Sequence, residues 1–185
     1  MEDREWKAFR GYLNGVFEQY GKPALTDAGA RIMFENLRDM PLEMVLNGLN
    51  LHVRMNRYIP PNAASVRELV GNELAVKALE KAQAATKFIA SDASVRFSDP
   101  LIHVTIERCG GWTAFYFLTQ AERREQFLPT YAEAFRKRVD IGNAPDHAAG
   151  DWEKRGGYLH PWTPEKIVDV DAELAKREEQ KRLTA

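Results

Sequence analysis

Apolar positions recur at helical spacing from the first residues onward. Trp6, Phe9, Leu13, Val16, Phe17 and Tyr20 stand at offsets 0, 3, 7, 10, 11 and 14, which places them on one face of an α-helix that Gly21 and Pro23 stop. Thr26 offers a capping hydroxyl to a second helix, in which Ala30, Met33, Phe34 and Leu37 share a face while Arg31, Glu35 and Arg38 point away. A third helix is expected from Met40-Pro41, with Leu42, Val45, Leu46, Leu49 and Val53 as its buried stripe. Gly48 inside it costs about 1 kcal/mol relative to Ala, tolerable if another helix crosses closely there. Pro60 and Pro61 break the pattern, and Asn62 can cap a short fourth helix over 63–70. Residues 1–71 therefore read as an N-terminal helical bundle.

Gly71-Asn72 is expected to separate this bundle from a long helix over about 73–90, whose Leu74, Ala78, Leu79, Ala82, Ala85 and Ile89 form a narrow face. Val95 and Phe97 suit a short extended piece, but a strand of that length needs a partner, so no sheet is expected. Asp99 and Pro100 are start signals for a short helix, and Gly110 or Gly111 can supply the left-handed residue that ends it. Trp112, Phe115, Tyr116, Phe117 and Leu118 follow as a large apolar payload, with Thr113 as a possible cap. Thr119 and Glu122 have the spacing of a capping box, and Pro129 is expected to kink or divide the helix that it opens. These elements form a second helical module over 72–140.

Beyond Asp140 the hydrophobic period disappears into Gly, Pro, Asp and His, and residues 141–185 read as an acidic, partly disordered tail with a possible terminal helix. The predicted fold class is all-α, two small helical modules with a flexible C-terminal tail. Trp152, Tyr158 and Trp162 do not suit a solvated connector; they either pack back or wait for a partner.

Charge changes the picture little, because 26 Lys and Arg against 27 Asp and Glu leave a formal net charge of -1. Nucleic-acid contact would need a local basic patch, for which Arg123 and Arg124 with Arg136, Lys137 and Arg138 are the candidates. Arg54 and Arg57 beside His52 and Tyr58 form a second basic group, and a solvated helix face is the plain alternative for both. A single cysteine, Cys109, leaves no internal disulfide and suits a reducing compartment. The acidic N-terminus lacks the pattern of a secretory signal and no apolar run is long enough to span a bilayer, so a cytoplasmic location without membrane contact is expected.

Catalytic chemistry has little to work with. His52, His103, His147 and His160 are scattered without metal-ligand spacing, His103 reading as a helix-surface residue. Cys109 lies at a helix C-terminus, where the dipole disfavours a thiolate. Neither a phosphate-binding glycine loop nor a nucleophile elbow is present. No enzyme activity, catalytic residue, metal, cofactor or small-molecule substrate is expected.

Within the first module, Tyr20-Gly21, Phe34-Glu-Asn-Leu37, Pro41-Leu-Glu-Met-Val45 and His52-Val-Arg-Met-Asn-Arg-Tyr-Ile-Pro-Pro61 run in a familiar order. The module resembles the helical N-terminal domain of phage replicative-helicase loader/inhibitor proteins, where a similar final turn carries two prolines before a short helix. The second, with Val95-Arg-Phe-Ser-Asp-Pro100, Ile106, Gly110-Gly-Trp112 and Phe127 to Tyr131, is similar to a domain of uncharacterised phage and prophage proteins. The resemblance covers about residues 5–140 and implies a non-enzymatic adaptor that binds a replicative DnaB-type helicase and loads or restrains it. It also implies helicase contacts in a C-terminal segment, for which 141–185 is the match by position only; the preference of binding hot spots for large aromatics makes Trp152, Tyr158 and Trp162 the expected anchors there. The rival expectations are a small nucleic-acid-binding helical protein and a phage-encoded inhibitor of a host defence or regulatory protein.

Overall fold

The computed structural model describes residues 1–138, 146–150 and 167–184. Among them the fold is all-α apart from one two-stranded sheet. The chain divides into two compact units, Met1–Glu73 and Leu74–Ala185.

In the first unit a 3₁₀ turn precedes α1 (Trp6–Gln19), followed by α2 (Asp27–Leu37), α3 (Leu42–Met55) and the opening of α4 (Ala63–Ala85). Both expected caps form: the Thr26 hydroxyl accepts from the Gly29 N–H at 3.2 Å, and Asn62 Oδ1 accepts from the Ser65 N–H at 2.9 Å. Phe9, Leu13, Phe34, Leu37, Val45, Leu49 and Val66 are fully buried, each contributing about 1.5–3 kcal/mol by leaving water. Trp6 and Phe9 meet Phe34 edge-on, each at 5.4 Å between ring centres. The buried stripe of α3 is Val45, Gly48, Leu49 and His52, whereas Leu42, Leu46 and Val53 are only half-buried. Its rotation is set by α4, which crosses so closely that a Cβ on Gly48 would stand 2.7 Å from Val70 Cγ2 and 2.9 Å from Val66 Cγ1.

The expected break at Gly71-Asn72 is absent, and α4 is one helix from Ala63 to Ala85. Glycine's propensity penalty of about 1 kcal/mol is outweighed by burial along the same helix, of Val66 and Val70 before it and Ala75, Ala78, Leu79 and Ala82 after it.

The second unit continues with β1 (Ser94–Arg96), α5 (Pro100–Arg108), α6 (Trp112–Phe117), α7 (Gln120–Arg136), β2 (Ile167–Asp169) and α8 (Val170–Thr184). Asp99 caps α5 with Pro100 in its first turn, and Gly110 and Gly111 both take positive φ, 96° and 89°. Gly111, not Thr113, is the N-cap of α6; the Thr113 hydroxyl donates instead to Ser91 O at 3.2 Å. Trp112 is completely buried, stacked on Phe115 at 6.0 Å, with Nε1–H donating to Ala90 O at 3.2 Å. Phe117, expected with this core, is 72% exposed at the end of α6. The Thr119/Glu122 capping box opens α7, which Pro129 does not divide. Pro129 lies on the exposed side, where the one lost backbone bond leaves a carbonyl facing water, and the Thr130 hydroxyl donates to Gln126 O at 2.7 Å.

A small sheet is present after all. Residues 94–96 pair in parallel with 167–169, Val95 opposite Val168, and on its other side Val95 exchanges backbone hydrogen bonds of 2.9 and 2.7 Å with Ala148. Residues 167–184 are therefore not a loose tail. Val170 is fully buried, Leu174 packs on the same core, and Asp171 accepts from Lys81 Nζ at 2.5 Å and from the Ser98 N–H at 2.8 Å.

Candidate protein-docking site

The feature of the first unit that its own packing does not account for lies where α3 ends. Asn56 leaves the helix at φ −122° and ψ 104°, and its N–H still donates to His52 O at 2.8 Å. From there the chain must turn and reach Pro61, which is buried ahead of α4. Two side chains fix that turn. The His52 ring, 3% exposed, donates from Nε2 to Ile59 O at 2.9 Å, while the Tyr20 hydroxyl donates to Asn56 O at 2.5 Å. Burial pushes the Tyr20 phenol above its ordinary pKa, so it keeps the proton it donates. Among the described residues His52 Nδ1 is enclosed without a partner, and the ring's one hydrogen bond there is the one that holds the turn.

With the backbone fixed, the side chains have nowhere to go but outward. Met55, Tyr58 and Ile59 are 68%, 88% and 66% exposed. Arg54 and Arg57 alternate with them and are exposed too. Three large apolar groups brought together in solvent are uncommon on a surface without a partner, and Tyr and Arg are over-represented where partners bind.

The expected basic patch is not assembled. Arg123 turns inward: its guanidinium donates to Phe115 O at 3.0 Å, to Thr86 Oγ1 at 3.1 Å and to Tyr116 O, and stacks over the Phe115 ring at 5.2 Å. It thereby satisfies the last carbonyls of α6. Arg124 and Arg136 are exposed, but on α7 they lie twelve residues apart, about 18 Å along its axis. Lys137 pairs with Glu133, and Arg138 follows the helix with φ 51°.

No protein-family model, curated protein or solved structure matches this chain. Trp152, Tyr158 and Trp162 lie outside the described residues. His103, expected on a helix surface, is 2% exposed and accepts from the Phe97 N–H at 2.8 Å through Nε2. Burial raises the Cys109 thiol above its ordinary pKa, which favours the neutral form. Among the described residues no three of His, Cys, Asp and Glu converge as metal ligands, and no helix is long and apolar enough to cross a membrane.

The docking turn had a partial signal in the sequence, two arginines and a tyrosine ahead of two prolines. That Met55 and Ile59 stand beside them in solvent had none, because Met and Ile are ordinarily buried and nothing local says which side of the turn is left uncovered.

Proposed function

We propose that this chain is a phage-type DNA replication accessory protein that binds a replicative DnaB-type helicase and loads or restrains it through protein–protein contacts. The observation that supports this reading best is the turn after α3, where Met55, Tyr58 and Ile59 are held in solvent by the hydrogen bonds of His52 and Tyr20. Such an arrangement adds nothing to the fold of the first unit, and a partner that covered it would gain apolar burial without first having to order the loop.

The likeness of the first module to the helical N-terminal domain of helicase loader/inhibitor proteins suggests the partner's class. The work is an adaptor's rather than an enzyme's, and the cytoplasm, where such a helicase acts, is its place. Trp152, Tyr158 and Trp162 serve in this reading as further anchors. Direct DNA contact is the weaker alternative, since Arg123 is committed to α6 and Arg124 lies twelve residues from the consecutive Arg136, Lys137 and Arg138.

Purified helicase tests this in a pull-down with the full chain. The unmodified protein retains the helicase, and the triple change of Trp152, Tyr158 and Trp162 to Ala weakens retention at least about tenfold. If the unmodified chain does not hold the helicase, the reading is wrong.

A further inference from the structure

Resting on the adaptor reading, we infer that the turn Arg54 to Ile59 receives an acidic peptide segment of the partner, one with carboxylates on either side of an apolar centre. Charge is the first argument. The first unit contains seven arginines, and five of them hold carboxylates: Arg4 with Glu2, Arg10 with Asp27, Arg31 with Asp3 and Glu35, Arg38 with the same two, and Arg67 with Asp39. Arg54 and Arg57 are the two that have no carboxylate or hydrogen-bond partner among the described residues. The chain offers them none nearby in sequence either, because residues 44–67 contain no Asp or Glu. A unit that pairs its other guanidiniums leaves these two for carboxylates from outside.

The apolar residues give the second argument. Met55, Tyr58 and Ile59 interleave with the arginines, so a ligand that satisfies the guanidiniums must also cover an aliphatic and aromatic knob. A sugar–phosphate strand could pair with the arginines and stack a base on Tyr58, but it offers little aliphatic surface to set against Met55 and Ile59. Two cations on a chain of net charge -1 are also a weak attractor for a polyanion. A peptide with an apolar centre and acidic flanks meets both demands. The arginines then steer the approach and fix the register, while Tyr58 and Ile59 supply the buried centre.

The test is an NMR titration of the isotope-labelled full chain with three probes. These are a synthetic peptide of about four helical turns carrying Glu on both sides of a Leu-Phe-Leu centre, the same peptide with Lys for Glu, and an oligothymidylate. The acidic peptide is expected to shift the backbone amides of residues 54–59, and the other two are expected to leave them in place. Arg54→Glu with Arg57→Glu, and separately Tyr58→Ala with Ile59→Ala, each weaken that binding at least about tenfold. All four side chains are exposed, so the thermal melt is unchanged, whereas Phe117→Ala leaves both melt and binding intact. The inference is overturned if the acidic peptide moves amides elsewhere or none, if the Lys peptide binds as well, or if the oligothymidylate takes the turn. Helicase retention by the unmodified chain is read separately. Retention without peptide shifts at 54–59 removes the docking inference and leaves the adaptor reading standing. Peptide shifts without retention keep the docking site and remove the helicase.

Discussion

The Tyr131 hydroxyl on α7 donates to Asp99 Oδ2 at 2.5 Å, while Asp99 Oδ1 accepts from the Leu101 N–H at 2.9 Å and caps α5. One carboxylate thus starts one helix and tethers another. Asp99→Ala removes the cap and leaves a buried phenol unpaired, so unfolding free energy in urea is expected to fall by about 2–3 kcal/mol. Asp99→Asn keeps a capping oxygen and loses less.

Tyr131 itself carries a pH signature. Burial, with the hydrogen bond to Asp99 and the negative charge there adding to it, raises the phenol above its ordinary pKa of 10.0. The folded state therefore holds this proton more tightly than the unfolded one. The stabilisation is complete below about pH 10, where the unfolded phenol begins to ionise, and is lost progressively as pH rises from there toward the raised folded value. Tyr131→Phe should lower stability at neutral pH by about 1 kcal/mol and shrink the alkaline loss seen in denaturation curves.

Three glycines of the first unit should respond with opposite signs. Gly48→Ala drives a methyl against Val66 and Val70 where α3 and α4 cross, and about 1–3 kcal/mol of destabilisation is expected. Gly11 and Gly15 on α1 have nothing within 4 Å of an added Cβ, so Ala at either should stabilise by about 0.4–1 kcal/mol. Chemical denaturation of the three single variants separates them.

Arg123 and Arg124 are neighbours with different duties. Arg123→Ala strands the carbonyls of Phe115 and Tyr116 and should destabilise by about 1–3 kcal/mol. Arg124→Ala, on an exposed side chain, should stay within about 0.5 kcal/mol. Equal melts for the two variants would contradict the structural role given to Arg123.

Asp171 makes docking of α8 sensitive to acid. Burial alone would raise its carboxyl, but the Lys81 ammonium and the Ser98 N–H outweigh it and hold it below its ordinary 3.8. A lowered carboxyl stabilises above the unfolded value, and this is lost as pH falls through the folded one. Amide signals of residues 170–174 should therefore move together below about pH 4. Asp171→Asn should loosen α8 at neutral pH by about 1 kcal/mol or less, since the pair is partly exposed.

How far the sequence could be read depended on the range of the interaction. The Asp99-Pro100 start, the Gly110-Gly111 stop and the Thr119/Glu122 box are set within four residues, and all three form as expected. The apolar stripe of α1 was equally legible, since Phe9, Leu13, Val16 and Phe17 are buried together. Gly71 misled because its local penalty was outweighed by burial along α4, and Pro129, on an exposed position, does not divide α7. His103 and Phe117 exchanged places with expectation for a related reason: which side of a short helix is covered depends on neighbours distant in sequence. At the docking turn the arginines and Tyr58 were visible, but the hydrogen bonds from His52 and Tyr20 that present them span 7 and 36 positions, the latter reaching another helix.

The pairing of Val95 with Val168 also bears on the birth of the protein. The first compact unit ends at Glu73, so all its residues are translated well before β2. β1, by contrast, has one edge bare until Ala148 arrives and the other until a stretch translated some seventy positions later reaches it. For that interval its open edges are templates on which the strand of another molecule could pair.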